Sequence, residues 1–226
     1  MPFVHGMTIG ELALWSKKTP GVLKVADSVR KLGKLTIVPM LGWKREMTWP
    51  QTGLRWIPTS PNIPSLDSVA GYPMTGLGAQ LGGFRHGIGT DHPFRFLTFE
   101  GKNADELKAA LDECKVSGLS FQKKSLTNAK GEVTEGVYIV LSDWNAWNPS
   151  ELAFHMMRLT ALWQKPSPFG ESSDSEATLF NKHVGSTVWW EALLRDKASV
   201  EVGKFVDAWT KEANSFRNST QEYLLY

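Results

Sequence analysis

The chain has 226 residues, 42% hydrophobic and 21% charged, with a net charge of +2 from 25 basic and 23 acidic side chains. These values fit a globular chain with a sizeable core and exclude a disordered or fibrous one. Basic residues are scattered, with pairs such as Lys17-Lys18 and Lys123-Lys124 as the longest runs, so a nucleic-acid partner, which needs a concentrated basic stripe, is disfavoured.

In chain order, Thr8 and Glu11 have capping-box spacing and open a helix to about Lys18, which Pro20-Gly21 breaks. Residues 22–32 repeat a short helical pattern, and Lys34 to Met40 reads as a buried strand. From Gly42 to about Thr90 the periodicity disappears under dense Gly and Pro. Trp43, Trp49, Trp56 and Phe84 give this stretch more apolar bulk than a linker carries, so it reads as a functional loop region. Phe94 to Phe99 looks like a strand, and Asn103 with Glu106 caps a helix to about Lys115. Leu119–Leu126 and Gly136–Ser142 alternate as strands around a Lys130-Gly131 turn. Asn148-Pro149 starts a helix to about Trp163. Ser173–Lys182, Ser186–Arg195 and Ser199 to about Phe216 read as further helices. Strands come first and helices last, which implies α+β or loosely α/β, with helices flanking one mixed sheet.

A single cysteine, Cys114, excludes an intramolecular disulfide and reads as a small hydrophobe within a helix. No apolar run reaches the length of a membrane span. Met1–Gly6 lacks the charged and apolar regions of a signal peptide, so the chain reads as soluble and without an address. The five histidines show no metal-ligand spacing and no nucleotide or nucleophile-elbow motif is present, so neither a metal nor a cofactor is expected.

Two stretches carry chemistry. Between Gly42 and Pro64, Trp43, Trp49 and Trp56 accompany Arg45, Glu46, Ser60 and Asn62. An indole face packs on a sugar ring, and Arg, Asn and Glu match its hydroxyls; the same tryptophans could equally fill a core. In the Gly78–Thr90 loop, Arg85 and His86 suit an anionic group, beside the alternative of a solvent-facing pair. Glycoside hydrolysis needs two carboxyl groups, for which Glu46, Asp67 and Glu11 are available.

These motifs resemble a known family. His5-Gly6-Met7-Thr8-x-Gly10-Glu11-Leu12-Ala13 and the long segment Thr36 to Pro64, with its Pro39-Met40, Gly42-Trp43, Arg45, Trp49, Trp56 and Ser60-Pro61-Asn62 positions, resemble signatures of the bacterial peptidoglycan exo-β-N-acetylmuramidases. Tyr72-Pro73 and the closing Phe216-Arg217 to Tyr226 segment match as well. The resemblance implies release of N-acetylmuramic acid from the non-reducing ends of peptidoglycan fragments, in the cell envelope. It also implies a Rossmann-like N-terminal domain preceding the His5 segment and an active cleft between the two parts. The expectation is thus a single domain over residues 1–226 equivalent to the family's C-terminal portion, with that N-terminal domain absent.

The loop departs from the family pattern, because Gly78-Ala79-Gln80-Leu81-Gly82 stands where the family shows an EGTN-type stretch. Gln80 keeps hydrogen bonding without charge, and His86 becomes a candidate proton carrier near neutral pH. On this resemblance Glu46, Glu11 and His86 are the catalytic candidates. Trp43, Trp49 and Trp56 would form the sugar platform. Arg45 and Arg85 would pair the lactyl carboxylate, and Ser60, Asn62 and Gln80 would bond hydroxyl or acetamido groups. The partner is a carbohydrate, with a homo-oligomer or a separate N-terminal-domain subunit as the expected protein contact. The alternative is a non-catalytic carbohydrate-binding module or one subunit of a split enzyme.

Overall fold

The computed structural model describes residues 1–127 and 130–226. Two compact units are described, Met1–Arg55 with Asp207–Tyr226, and Trp56–Val206.

In the first unit, α1 (Ile9–Lys18) starts at the expected capping box, with Lys17 and Lys18 against its negative C-terminal end. A second helix, α2 (Asp27–Lys31), is shorter than the 22–32 pattern suggested. Lys17 joins the two helix ends, donating to the carbonyls of Arg30 at 2.8 Å and Gly33 at 3.0 Å, while Arg30 Nη1 returns a bond to the Lys17 carbonyl. Trp15 packs edge-to-face on Phe216 with centroids 5.3 Å apart.

The strand expected over residues 34–40 does not form. No described strand lies in this unit to complete its ladder, and Val38 is 85% exposed and Leu41 fully exposed. Only Ile37 docks on α1: a Cβ at Gly10 would lie 2.9 Å from its Cγ2. A 3-10 turn at Trp49–Thr52 ends on Gly53 at φ 69°.

The second unit is built on a sheet of order β1-β2-β4-β3: β1 (Phe84–Arg85), β2 (Phe96–Phe99), β3 (Leu119–Thr127) and β4 (Val133–Leu141). Every pairing is antiparallel, so the sheet is not mixed and the fold is α+β rather than α/β. Antiparallel pairing follows where connections are too short to carry a crossover, as between β3 and β4. Register sorts the side chains into two faces. Phe84, Leu97, Phe99, Phe121, Val137 and Ile139 point into the core. There they meet Met74 of α3 (Leu66–Thr75), Leu107 and Leu111 of α4 (Ala104–Glu113), and Leu152, Met156 and Leu159 of α5 (Glu151–Trp163). The other face carries Arg85, Thr98, Phe96, Gly136, Thr134 and Leu126.

Helix α3 lies inside the stretch read from sequence as irregular. Ser65 caps it, and Gly71 lets it approach the sheet: a Cβ there would sit 2.7 Å from the Phe94 carbonyl oxygen. Asp67 in its first turn pairs with buried Arg95 at 2.7 Å and accepts from the Tyr138 hydroxyl at 2.9 Å. Arg95 also donates to the Ile139 carbonyl through Nε and Nη2, so this network locks helix to sheet.

Three helices follow, α6 (Asp174–Val184), α7 (Thr187–Asp196) and α8 (Val202–Thr220). Trp189 of α7 is fully buried and donates its indole N–H to Met157 Sδ at 3.0 Å, so some of the tryptophans are core. Cys114 caps the end of α4 and donates to the Ala110 carbonyl, in keeping with a packing role.

Candidate functional site

Each unit holds a cavity that gathers residues singled out from the sequence. The first, of about 650 Å³, is lined by His5, Gly6, Met7, Thr8, Trp43, Arg45, Glu46, Arg217 and Leu224. Its walls are fixed by one buried carboxylate. The Thr8 cap turns Glu11 inward, where it is fully buried. Glu11 Oε2 accepts from the Thr8 amide at 2.7 Å; Oε1 accepts from Arg45 Nη2 at 2.5 Å and from the Leu225 amide at 2.8 Å. Arg45 Nη1 donates to the Gly6 carbonyl. Glu11 thereby holds the cavity-lining Thr8 and Arg45, and also Leu225, the residue after cavity-lining Leu224.

Burial raises the Glu11 carboxyl, but the Leu225 and Thr8 amides and the Arg45 guanidinium outweigh it and hold the group below the ordinary 4.5. Glu11 is therefore an ionised structural anchor. That corrects its candidacy as a proton carrier, since both its oxygens are engaged and none faces solvent. Arg45 donates one N–H from each terminal nitrogen within the protein and its Nε is buried without a partner, while its side chain stays 28% exposed on the cavity wall.

Trp43, His5, Glu46 and Arg217 line the cavity beside Arg45. Trp43 is held edge-to-face by Tyr226 with centroids 4.7 Å apart, and Tyr226 in turn accepts from the Met40 amide at 2.7 Å. His5 Nδ1 accepts from the Met7 amide at 3.1 Å, which puts the proton of the neutral ring on Nε2. Glu46 and Arg217 are exposed, and neither side chain has an ion pair among the described residues. Arg217 was not singled out as a site residue; its signal was its place in the closing Phe216-Arg217 segment. The cavity thus offers one indole, one imidazole, one free carboxylate and one free guanidinium.

The second cavity, of about 820 Å³, lies beside the loop after β1 and includes Arg85, His86, Ile88, Asp91, Thr98, Ser125, Thr127 and Thr134. His86 is 9% exposed. Burial and the neighbouring Arg85 push its pKa down to about 4, against a hydrogen bond to the Thr75 backbone that favours the charged form. Burial thus favours the neutral ring at physiological pH. Gly87 turns this loop at φ 66°, and a Cβ there would meet the His92 carbonyl oxygen at 2.5 Å.

The remaining predicted residues line neither cavity. Trp49, 38% exposed, sits in the 3-10 turn of the first unit. Trp56 belongs to the second unit and donates its indole N–H to the Pro64 carbonyl at 3.2 Å. Ser60 and Asn62 form a local turn, with the Asn62 amide on Ser60 Oγ at 3.3 Å. Gln80 is exposed. Among the described residues, no group of three or more His, Cys, Asp or Glu could hold a metal ion, and no helix is long and apolar enough to cross a membrane.

Known proteins match this chain throughout. The family model described as "Exo-beta-N-acetylmuramidase NamZ, N-terminal" matches residues 1–67, and its C-terminal counterpart matches residues 70–226. The first cavity's His5 to Glu46 thus fall in the N-terminal match, and Arg85 and His86 in the C-terminal one. The peptidoglycan beta-N-acetylmuramidase NamZ of Bacillus subtilis (strain 168) is 28% identical over 230 residues, covering 100% of this chain and 51% of that protein. The crystal structure of a DUF1343 family protein from Bacteroides fragilis NCTC 9343 superposes with a TM-score of 0.80 at 31% identity, covering 100% of this chain and 58% of that one. The chain therefore spans about half the length of these relatives. With the C-terminal match alone taking in more than half of its residues, the chain belongs to the exo-beta-N-acetylmuramidase NamZ family.

Proposed function

We propose that this chain is part of a peptidoglycan exo-β-N-acetylmuramidase and that the first cavity takes the muramyl residue at a glycan end. The observation that carries the reading is the free guanidinium of Arg217 in one cavity with the indole of Trp43. Muramic acid differs from glucosamine by a lactyl carboxylate, which a guanidinium fork pairs through two hydrogen bonds. The indole supplies the apolar platform for the ring. His5 Nε2–H is a donor for a ring hydroxyl or the acetamido oxygen.

Glu46 is the carboxylate in this cavity with the freedom to act on a proton, and it is the acid/base candidate. Family membership and the name of the Bacillus subtilis relative support the substrate class. The test is hydrolysis of a chromogenic β-N-acetylmuramic acid glycoside by the purified chain. Release of the chromophore, lost in Glu46→Gln, is the expected result; release that survives Glu46→Gln would remove Glu46 from catalysis.

A second reading is a sugar-binding partner subunit without its own turnover. Two observations favour it. Glycoside hydrolysis uses two carboxyl groups, and with Glu11 locked the first cavity supplies one. The first unit also exposes Ile9, Val29, Leu32, Val38 and Leu41, apolar side chains of the kind an adjoining protein surface covers. Sugar binding with no chromophore release would select this reading.

A further inference from the structure

We infer that His92 and Lys124 form a pH-sensitive latch between the two walls of the second cavity, closed while the imidazole is neutral and released when it takes up a proton. The pair lies in the second unit and involves neither the first cavity nor its ligand.

The latch joins the walls directly. One wall is the loop after β1, whose residues Gly87 to Asp91 line the cavity, and His92 is the next residue. The other is the end of β3, where Ser125, Leu126 and Thr127 line it, and Lys124 is the residue before them. Lys124 Nζ lies 2.6 Å from His92 Nε2. The register brings the lysine there. Lys124 stands opposite Gly136 of β4, which carries no side chain, and its ammonium turns onto the ring of Tyr138, 4.8 Å from the centroid. His92 packs on the same ring, with centroids 5.0 Å apart.

The contact depends on protonation. An ammonium has donors and no acceptor, so His92 Nε2 accepts, and the neutral ring carries its proton on Nδ1. A protonated ring has a donor on both nitrogens and sets two cations against each other. The surrounding groups do not offset that second charge. Tyr138 is a neutral phenol, raised above its ordinary 10 by burial and by its bond to Asp67. Asp67 of α3 is already paired with Arg95 at 2.7 Å, and Arg95 itself lies over the Tyr138 ring at 5.2 Å. Asp91, the preceding loop residue, is exposed and makes no ion pair with His92 or Lys124 among the described residues. The closed loop thus binds one proton fewer than the open one, and closure weakens as pH falls through the titration of His92. The strand stays in place on release, because the His92 carbonyl accepts from the Arg95 and Phe96 amides. Ile88 to Asp91 are exposed, and the Thr90 hydroxyl bonds within the loop to the Gly87 carbonyl, so the latch is what ties this segment to β3.

The test follows solvent exchange of the Thr90 and His92 amides, both bonded within the closed loop, together with the His92 ring resonances of the full chain by NMR. The range runs from about pH 7.5 to about pH 5, above the titration of His86 at about 4 in the same loop. After correction for intrinsic chemistry, both amides are expected to exchange about tenfold faster at the acid end, the worth of one hydrogen bond to a charged group, with a midpoint matching the His92 ring. His92→Gln should stay protected throughout, because its amide oxygen accepts from Lys124 and does not titrate. Lys124→Met should show the faster exchange already at the upper end. Loop amides that ignore the titration of His92 in wild type, or a pH response that survives in His92→Gln, would overturn the inference. The wild-type comparison decides it even where a variant fails to fold.

Discussion

Glu11 and Arg45, 34 residues apart in sequence, meet at 2.5 Å with Glu11 fully buried and Arg45 28% exposed. The same carboxylate holds the Leu225 amide, so the start of α1, the Arg45 loop and the C-terminal segment converge on one buried charge. The residue that the family signature makes prominent works by holding the cavity together.

Removing that charge leaves the Arg45 guanidinium and the part-buried amides of Thr8 and Leu225 without their acceptor. Glu11→Ala is therefore expected to destabilise the protein by about 3–5 kcal/mol. Urea unfolding followed by tryptophan fluorescence measures it. A loss under 1 kcal/mol, within the range of an ordinary surface change, would contradict the anchor role.

Glu11 also predicts an acid dependence. Its folded-state pKa lies below the ordinary carboxylate value, so its stabilisation is present above that value and is lost as pH falls through the lowered one. Wild type should lose stability on acidification more steeply than Glu11→Gln, whose side chain does not titrate. Parallel melting curves from pH 7 to pH 3 read the difference.

His86 gives a second pH effect at a different place on the scale. Its folded pKa of about 4 lies below the ordinary 6.5. Between those values the unfolded chain binds the proton and the folded one does not, so stability rises with pH across that window. The difference amounts to about 3 kcal/mol, gained between pH 4 and pH 6.5 and level above it. His86→Phe should flatten that part of the stability profile, and an unchanged profile would refute the assignment.

Gly87 offers a test of the loop after β1. A Cβ there would meet two backbone oxygens, of His92 at 2.5 Å and of Phe96 at 3.0 Å, at φ 66°. Neither neighbour can rotate away. Gly87→Ala should cost about 2–4 kcal/mol in thermal or urea unfolding.

Much of the local structure was readable from spacing. Thr8 with Glu11 and Asn103 with Glu106 each mark a helix start because a cap is decided within four residues. The β3–β4 pair was readable because alternation and a turn are local too. Helix α3 was hidden by Gly71 and Pro73, which break a propensity pattern but fit here, Gly71 because the Phe94 backbone passes so close. Residues 34–40 misled for the opposite reason: their apolar run looks buried, but burial depends on a neighbouring strand that the unit does not provide.

The site was legible as a set of residue types more than as an arrangement. Trp43, Arg45 and Glu46 share a cavity with His5. Yet the Glu11–Leu225 bond spans 214 residues, and no spacing rule reveals that it consumes the carboxylate. Arg217 lines the same cavity as Trp43 and Arg45, and its only mark in the sequence is its place in the closing segment.

The most direct test of the account is binding of N-acetylmuramic acid and N-acetylglucosamine to wild type and Arg217→Ala, followed by isothermal titration calorimetry. Wild type should prefer N-acetylmuramic acid by about 10- to 100-fold, the worth of a charge-assisted pair, and Arg217→Ala should lose that preference while remaining folded. Equal affinity for both sugars in wild type, or a preference that survives Arg217→Ala, would contradict the claim that this cavity reads the muramyl carboxylate.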